Sequence, residues 1–161
     1  MREKWIVETK KGDFNGLSAK LKVSPLAVRC LMNRGVESEQ EMREFLYGTL
    51  DDLHDPFLMK GMDEAVREIV KAKEQGRKVA IASDFDCDGI FSAYILWKGF
   101  QKIGLDSEIF TPDRVKEGYG LNRRIVDEAL AGGRDFLVTC DNGIAANEEV
   151  DYAKKLGMTG I

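Results

Sequence analysis

Apolar residues recur at helical spacing in several short segments of the first 75 positions. Ser24-Pro25 is typical of a helix start, because serine caps free backbone amides and proline fits the first turn. Ser38 and Glu41 have the spacing of a capping box. After an irregular connector, further apolar positions again follow helical spacing: Met62, Ala65, Val66, Ile69 and Val70. The pattern predicts a helical region over residues 1–75.

From residue 77 onward, apolar runs alternate with amphipathic segments. The predicted elements are a strand at 78–83, a helix at 90–103, a strand at 108–111, a helix from Asn122 to Gly132-Gly133, a strand at 135–140 and a helix at 147–156. In the first of these helices Phe91, Trp97 and Phe100 have helical spacing, so we expect them in the core. The alternation predicts an α/β domain over 76–161, with a mostly parallel sheet and helices on both faces. A fourth strand is expected after Gly157, and we expect the chain to be a truncated piece of a longer protein.

Composition narrows the functional classes. With 24 basic and 28 acidic side chains the formal net charge is −4, which argues against a broad surface that coats nucleic acid but leaves room for a local basic groove. No apolar stretch approaches the roughly 20 residues that span a bilayer, and the N-terminus lacks a signal-peptide core. We therefore expect a cytoplasmic protein without a membrane partner. The three cysteines have no CxxC spacing, so we expect small buried side chains and no zinc site.

Acidic residues follow two of the predicted strands. Asp84, Asp86 and Asp88 come after the first strand, and Asp141 comes after the third. The second strand leads into a segment that contains Arg114. Because ligands of open parallel sheets bind at the carboxyl ends of the strands, we expect these side chains to converge there. Any single aspartate is more simply a helix cap, but the set favours a functional site.

Three kinds of site could use the DFDCDG stretch. A calcium loop of the EF-hand type is excluded because its twelfth position is Ile95, where a bidentate glutamate is required. An aspartyl-phosphate enzyme of the haloacid dehalogenase type remains an alternative, since Asp84 and Asp86 have its spacing, although Asp88 is not needed there. A two-metal phosphoesterase explains all the acids, because two divalent cations need several carboxylates. Hard oxygen ligands favour Mg²⁺ or Mn²⁺, and Asp141 is suited to bridge the two ions.

Four segments resemble the DHH phosphoesterase superfamily and, within it, the RecJ exonuclease family. They are SDFDCDGIFSAYIL at 83–96, TPDRVKEGYGLN at 111–122, VTCDNGI at 138–144 and the helical lead-in that includes LAVRCLMNRGVESEQEMREFL. Two features depart from the superfamily pattern. The DHH triplet itself is absent from the chain, and Ala82 stands where several members have a histidine.

The resemblance implies roles for individual residues. Asp86 and Asp88 resemble ligands of two Mn²⁺ or Mg²⁺ ions, and Asp141 resembles their bridging ligand. Asp84 resembles either a ligand or a group that supports the ligands. Arg114 resembles a contact to substrate phosphate, which a guanidinium binds with two hydrogen bonds. The remaining candidates for a DNA-facing surface are Lys116, Tyr119, Arg123 and Arg124, although exposed helix arginines are commonly only solvated.

The resemblance also implies a function. We expect part of a 5′→3′ exonuclease that hydrolyses phosphodiester bonds of single-stranded DNA in repair and recombination, with a single-strand-binding protein or a helicase as candidate partners. The polarity rests wholly on the resemblance. We expect the chain alone to be inactive, because about half of the family's ligands are missing from it. The alternatives are a DHH phosphodiesterase that acts on short oligonucleotides or cyclic dinucleotides, and a non-catalytic binding module.

Overall fold

The chain forms a small helical unit and a larger α/β unit in a computed structural model that describes residues 4–6 and 10–160. The two units are Met1–Leu58 and Met59–Ile161. The domain limits that we predict from the sequence, 1–75 and 76–161, place the boundary later in the chain. The difference arises from one helix, Met62–Glu74, because its Ala72 is buried in the core of the α/β unit.

Among its described residues the helical unit contains three short helices, of which the second and third begin at the predicted caps. They are α1 (Phe14–Leu21), α2 (Pro25–Asn33) and α3 (Glu39–Tyr47). The Ser24 side chain accepts a hydrogen bond from the Ala27 amide at the start of α2, and Ser38 and Glu41 form the expected capping box on α3. The apolar faces of these helices form one core: Leu21, Val28, Leu31, Met32 and Met42. Two 3-10 turns, Leu50–Asp52 and Pro56–Leu58, follow in the connector.

The α/β unit alternates helices and strands as the sequence predicts. Its elements are α4 (Met62–Glu74), β1 (Val79–Ala82), α5 (Cys87–Ile103), β2 (Ser107–Phe110), α6 (Arg123–Ala131), β3 (Phe136–Thr139), α7 (Asn147–Lys155) and β4 (Thr159–Gly160). All strand pairs are parallel, and the order across the sheet is β2-β1-β3-β4. Ala82 pairs with Phe110 of β2 and with Thr139 of β3, so these three strands end at one edge of the sheet.

Helices cover both faces of this sheet, which confirms the predicted fold class. Ala80 and Ala82 face a core that includes Ile125 of α6 and Ala153 of α7. Val79 and Ile81 face the opposite core, to which α4 and α5 contribute Ala72, Ala93 and Phe100. All four residues of β1 are fully buried, as expected for the inner strand of a doubly covered parallel sheet.

The strand order places a switch point between β1 and β3. After β1 the chain forms β2 on one flank of β1 and then crosses over to form β3 on the opposite flank. In doubly wound folds the crevice outside such a switch point is the usual ligand site. The acidic segments of the sequence follow these two strands.

Three expectations from the sequence are wrong. Helix α5 begins at Cys87, three residues before the predicted start at Ile90. Phe91, expected in the core with Phe100, is 65% exposed, because the face of α5 that carries it points away from the sheet. Cys30 and Cys87 are exposed rather than buried.

Across the part of the chain that the structure describes, no helix is both long enough and apolar enough to cross a bilayer.

Candidate metal centre

The acidic turn, residues 84–88, connects β1 directly to α5. Asp84 is 5% exposed, and Asp86 is the N-cap residue of α5, where its Oδ1 accepts a hydrogen bond from the Gly89 amide at 3.1 Å. Asp88 lies in the first helical turn and is exposed. The free amides and the positive end of the helix dipole stabilise negative charge at this position. The fold therefore provides a local reason for carboxylates at the end of a buried strand.

Gly89 allows the first turn of α5 to approach the backbone of Asp84 closely. A Cβ atom at this position would lie 2.6 Å from the carbonyl carbon and 2.8 Å from the amide nitrogen of Asp84. Such distances are shorter than real side chains adopt, and the neighbouring atoms are backbone atoms that cannot rotate away. Gly89 thus sets where Asp86 and Asp88 lie relative to the sheet. The sequence signal for this role is a glycine directly after the third aspartate, which sequence reasoning alone missed.

Asp141 follows β3 and has a left-handed backbone, with φ of 58°. Aspartate tolerates this conformation better than most residues, because its short polar side chain can bond locally. The Cys140 amide still donates to the Ala82 carbonyl at 3.1 Å, so the pairing of the two strands continues up to this turn. Asp141 is thereby placed beside the end of β1, as its sequence position predicts.

The carboxylates of the two turns interact. Asp141 is exposed, but nearby protein atoms remove part of its hydration and raise its pKa, and the negative charges of Asp86 and Asp88 raise this pKa further. The side chains of Asp86 and Asp141 also lie within hydrogen-bonding reach of each other, and Asp84 adds a smaller electrostatic effect. Four aspartates from two neighbouring strand ends therefore share one electrostatic environment. The neighbouring negative charges disfavour ionisation of Asp141, and a bound cation would relieve this repulsion.

The donor atoms suit a hard divalent cation, since carboxylate oxygens are the preferred protein ligands of Mg²⁺ and Mn²⁺. However, within residues 4–6 and 10–160 no three His, Cys, Asp or Glu side chains are arranged as a group that could hold a metal ion. The best placed pair is Asp86 and Asp141, with Asp88 beside them on the first turn of α5. The chain thus presents part of a ligand set rather than a complete one.

The segment between β2 and α6, residues 111–122, lies against the acidic turn. The Gly120 amide donates to Asp84 Oδ1 at 2.9 Å, and the Tyr119 ring packs on Phe85 with centroids 4.5 Å apart. The Arg114 guanidinium lies 5.3 Å from the centroid of the Phe85 ring. Since Phe85 lies between Asp84 and Asp86 in the chain, the structure places the Arg114 guanidinium against the acidic turn. Arg114 forms no ion pair with any described residue, which leaves its guanidinium available for an anion.

The other candidates for a DNA-facing surface differ in their surroundings. Lys116 is exposed on the same segment, and Tyr119 is 66% exposed. Arg123 lies over the Tyr152 ring of α7, 5.1 Å from its centroid. Arg124 is fully engaged in protein contacts, with Glu117, Glu128 and a backbone carbonyl. All four residues are exposed, and Arg124 differs from the others in making four side-chain hydrogen bonds within the protein.

A parallel sheet with helices on both faces and carboxylates at its switch point places the chain among the α/β proteins that bind ligands at this edge, and the comparison with known families narrows this class to one family. The model of the DHH family, N-terminal domain, matches residues 78–161. The chain belongs to the DHH family.

Sequence and structure relatives within that family are RecJ exonucleases. The single-stranded-DNA-specific exonuclease RecJ of Bacillus subtilis (strain 168) is 35% identical over 159 residues, which cover 98% of this chain and 20% of that protein. A structure of exonuclease RecJ bound to manganese is 32% identical with a TM-score of 0.59, over 63% of this chain and 26% of that one. A RecJ structure in complex with Mn²⁺ from Thermus thermophilus is 26% identical with a TM-score of 0.61, over 91% of this chain and 20% of that one. The chain spans about a fifth of the length of the curated relatives it matches.

Proposed function

We propose that this chain supplies part of the catalytic centre of a divalent-metal-dependent exonuclease that hydrolyses single-stranded DNA from the 5′ end. The observation that carries the proposal is the meeting of Asp86 and Asp141 at the switch point between β1 and β3. The names of the relatives support the substrate, and two manganese-bound neighbours support the metal. The 5′→3′ direction rests on the family resemblance alone.

The proposal assigns metal binding to the aspartates and phosphate binding to Arg114. A divalent cation at this site would provide positive charge near the scissile phosphate and increase the acidity of a bound water. Asp86, Asp88 and Asp141 would hold such ions, which is consistent with the mutual repulsion that raises the pKa of Asp141. Arg114 would bind a phosphate oxygen of the substrate, because its guanidinium has no carboxylate partner among the described residues and lies beside the acidic turn.

We also propose that the 161-residue chain by itself does not hydrolyse DNA. The described residues offer no group of three metal ligands, whereas two-metal hydrolysis needs several carboxylates, some of them shared. A cytoplasmic role in DNA repair and recombination, with a single-strand-binding protein or a helicase as partner, completes the proposal and is supported only by the resemblance to the family.

Metal binding to the chain tests the site directly. Mn²⁺ titrated into isotope-labelled chain should broaden amide signals of the acidic turn and of Asp141 before other signals. Asp86→Asn and Asp141→Asn should each weaken this effect by about tenfold or more, because each removes a charged ligand. Asp106→Asn is the matched control, since Asp106 lies before β2 at the opposite edge of the sheet. Broadening that is equal in all four proteins would contradict the metal assignment.

Catalysis is tested on the same chain with a 5′-labelled single-stranded oligonucleotide in Mn²⁺. We expect no cleavage above a metal-only blank, and robust cleavage would contradict the proposal of inactivity. Selective turnover of dinucleotides or cyclic dinucleotides would favour a short-oligonucleotide phosphodiesterase instead. Oligonucleotide binding that persists unchanged without metal and in Asp86→Asn would favour a non-catalytic binding module.

A further inference from the structure

Arg124, at the start of α6, donates hydrogen bonds to both ends of the preceding turn, at Thr111 and Glu117. Its Nε donates to Glu117 Oε1 at 2.6 Å and its Nη2 donates to Glu117 Oε2 at 2.8 Å. Nη2 also donates to the Thr111 carbonyl at 3.1 Å, and Nη1 donates to Glu128 at 2.6 Å. A two-pronged arginine–carboxylate pair fixes geometry as well as charge, which a lysine cannot reproduce.

Glu117 extends this network to the residues on either side of Arg114. Its Oε2 accepts a hydrogen bond from the Asp113 amide at 2.6 Å. The Asp113 Oδ1 in turn accepts from the amides of Val115 and Lys116, at 2.9 and 3.1 Å. The two residues that flank Arg114 are therefore held by carboxylates, and one of those carboxylates is held by Arg124.

The charges of this network agree with its geometry. The Arg124 guanidinium, helped by the Asp113 amide, lowers the pKa of Glu117 to about 2. Glu117 is thus ionised at neutral pH and keeps both oxygens available as acceptors. Exposed ion pairs contribute little stability on average, but paired hydrogen bonds with good geometry in a network are the exception. The main effect of the Arg124–Glu117 pair is to hold the backbone at Thr111 and Asp113 in one conformation.

The far end of the same segment is attached to the acidic turn through the Gly120–Asp84 hydrogen bond. Between these two attachments the Arg114 guanidinium lies over the ring of Phe85, the residue between Asp84 and Asp86 in the chain. A guanidinium that must meet a phosphate near a metal gains from being held in place before the substrate arrives. The arrangement therefore connects Arg124 to the substrate site through the backbone rather than through a contact of its own.

We propose that Arg124 is a positioning residue, which with Glu117 holds the turn at 111–118 so that Arg114 is set beside the acidic turn to receive a substrate phosphate. This inference rests on the proposed function for the phosphate, and it replaces the sequence-based expectation that Arg124 itself faces DNA. Four hydrogen bonds occupy Arg124 within the protein, and Arg114 has no such engagement among the described residues.

Arg124→Lys in the 161-residue chain tests the inference, because it keeps the positive charge and loses the two-pronged hydrogen bonding to Glu117. Arg134→Lys is the matched control. Arg134 also contacts two carboxylates, Asp106 and Glu108, but at the opposite edge of the sheet. Two readouts are used: amide hydrogen exchange of Val115 and Lys116, and binding of a 5′-phosphorylated oligo-dT in the presence of Mn²⁺. The first readout needs no ligand.

We expect Arg124→Lys to accelerate exchange of the two amides at least about fivefold, since their acceptor loses its support. Oligo-dT binding should weaken about threefold to tenfold, and Arg134→Lys should change neither readout. In an Arg114→Ala background the Arg124→Lys change should cause no further loss of binding, because a positioning residue acts through the residue it positions.

The outcomes separate the two proposals. If wild-type chain shows no oligo-dT binding while Arg124→Lys still accelerates amide exchange, the proposed substrate fails and the turn-holding role of Arg124 stands. If exchange is unchanged in Arg124→Lys, the positioning role is wrong, whatever the binding shows. If the Arg124→Lys and Arg114→Ala losses are additive in the double variant, Arg124 contacts the oligonucleotide itself, and the inference is again overturned.

Discussion

Gly89→Ala is the most direct test of how the acidic turn is placed. The substitution adds one methyl group at the third position of α5, where it would lie 2.6 Å from the carbonyl carbon of Asp84. The nearest atom is the carbonyl oxygen of Asp84, and ordinary contacts begin at 3.4 Å, so the first turn of α5 must move away by about 1 Å. The neighbouring atoms belong to the backbone at the end of β1, and this strand is buried on both faces.

Two opposing effects set the size of the change in stability. Alanine favours helix over glycine by up to about 1 kcal/mol, which stabilises the variant. Forcing extra volume into a packed site costs about 1–3 kcal/mol. Since Gly89 is buried and its neighbours are fixed, the second effect should win, and we expect a net loss of about 1–2 kcal/mol.

Gly99→Ala in the same helix is the matched control. A Cβ atom at Gly99 meets nothing within 4 Å, so only the helix-forming preference of alanine should act there. Urea unfolding followed by circular dichroism should therefore show Gly89→Ala below, and Gly99→Ala at or above, the wild-type free energy of unfolding. Mn²⁺-induced broadening of the acidic-turn amides should weaken in Gly89→Ala only, because Asp86 and Asp88 move with the helix.

One result would refute the reasoning. If Gly89→Ala is as stable as Gly99→Ala and broadens equally with Mn²⁺, the close approach of α5 to Asp84 does not set the position of the carboxylates. A loss of stability with unchanged Mn²⁺ broadening would separate packing from metal placement, and only the packing part would survive.

Two further predictions concern the segment at 111–122. Because the pKa of Glu117 is lowered from 4.5 to about 2 in the folded chain, its contribution to stability is complete above pH 4.5 and is lost as pH falls toward 2. The Asp113 amide, which donates to Glu117, should therefore lose protection relative to its intrinsic exchange rate over this window, and unchanged protection would contradict the pairing. Asp84→Asn keeps an oxygen for the Gly120 amide, whereas Asp84→Ala leaves that amide unpaired at a cost of about 1–3 kcal/mol, so urea unfolding should find only the alanine variant clearly destabilised. Equal losses in both variants would show that the charge of Asp84, not its hydrogen bond, matters.

The elements that local chemistry specifies could be predicted from the sequence. Ser24 and Ser38 cap helices where the spacing of serine, proline and glutamate predicts them, because capping involves residues only three apart. The alternation of apolar runs with amphipathic segments is equally local, and it predicts the parallel sheet. The convergence of Asp86 and Asp141 follows from topology, since the ends of neighbouring parallel strands must meet.

Other features depend on contacts that the pattern does not contain. The start of α5 at Cys87 is missed when Asp86 is interpreted only as a ligand, because the same residue also caps the helix. The engagement of Arg124 depends on the fold of the preceding turn, which brings Glu117 within 2.6 Å. The exposure of Phe91 depends on which face of α5 meets the sheet, and helical spacing alone does not distinguish a covered face from an open one.

The acidic turn illustrates why such a site is conspicuous in both sequence and structure. The pKa of Asp141 is raised above its ordinary value of 3.8 by partial loss of hydration and by the charges of Asp86 and Asp88. A group with a raised pKa favours folding fully below its unfolded pKa, and this contribution is lost as pH rises through the folded pKa. At neutral pH the chain by itself therefore retains an unfavourable concentration of charge at the end of a buried strand. The helix terminus offsets part of that repulsion through Asp86, and a divalent cation would offset more. The meeting of Asp86 and Asp141, which come from two neighbouring strand ends, is therefore the main physical argument for a metal site at the switch point between β1 and β3.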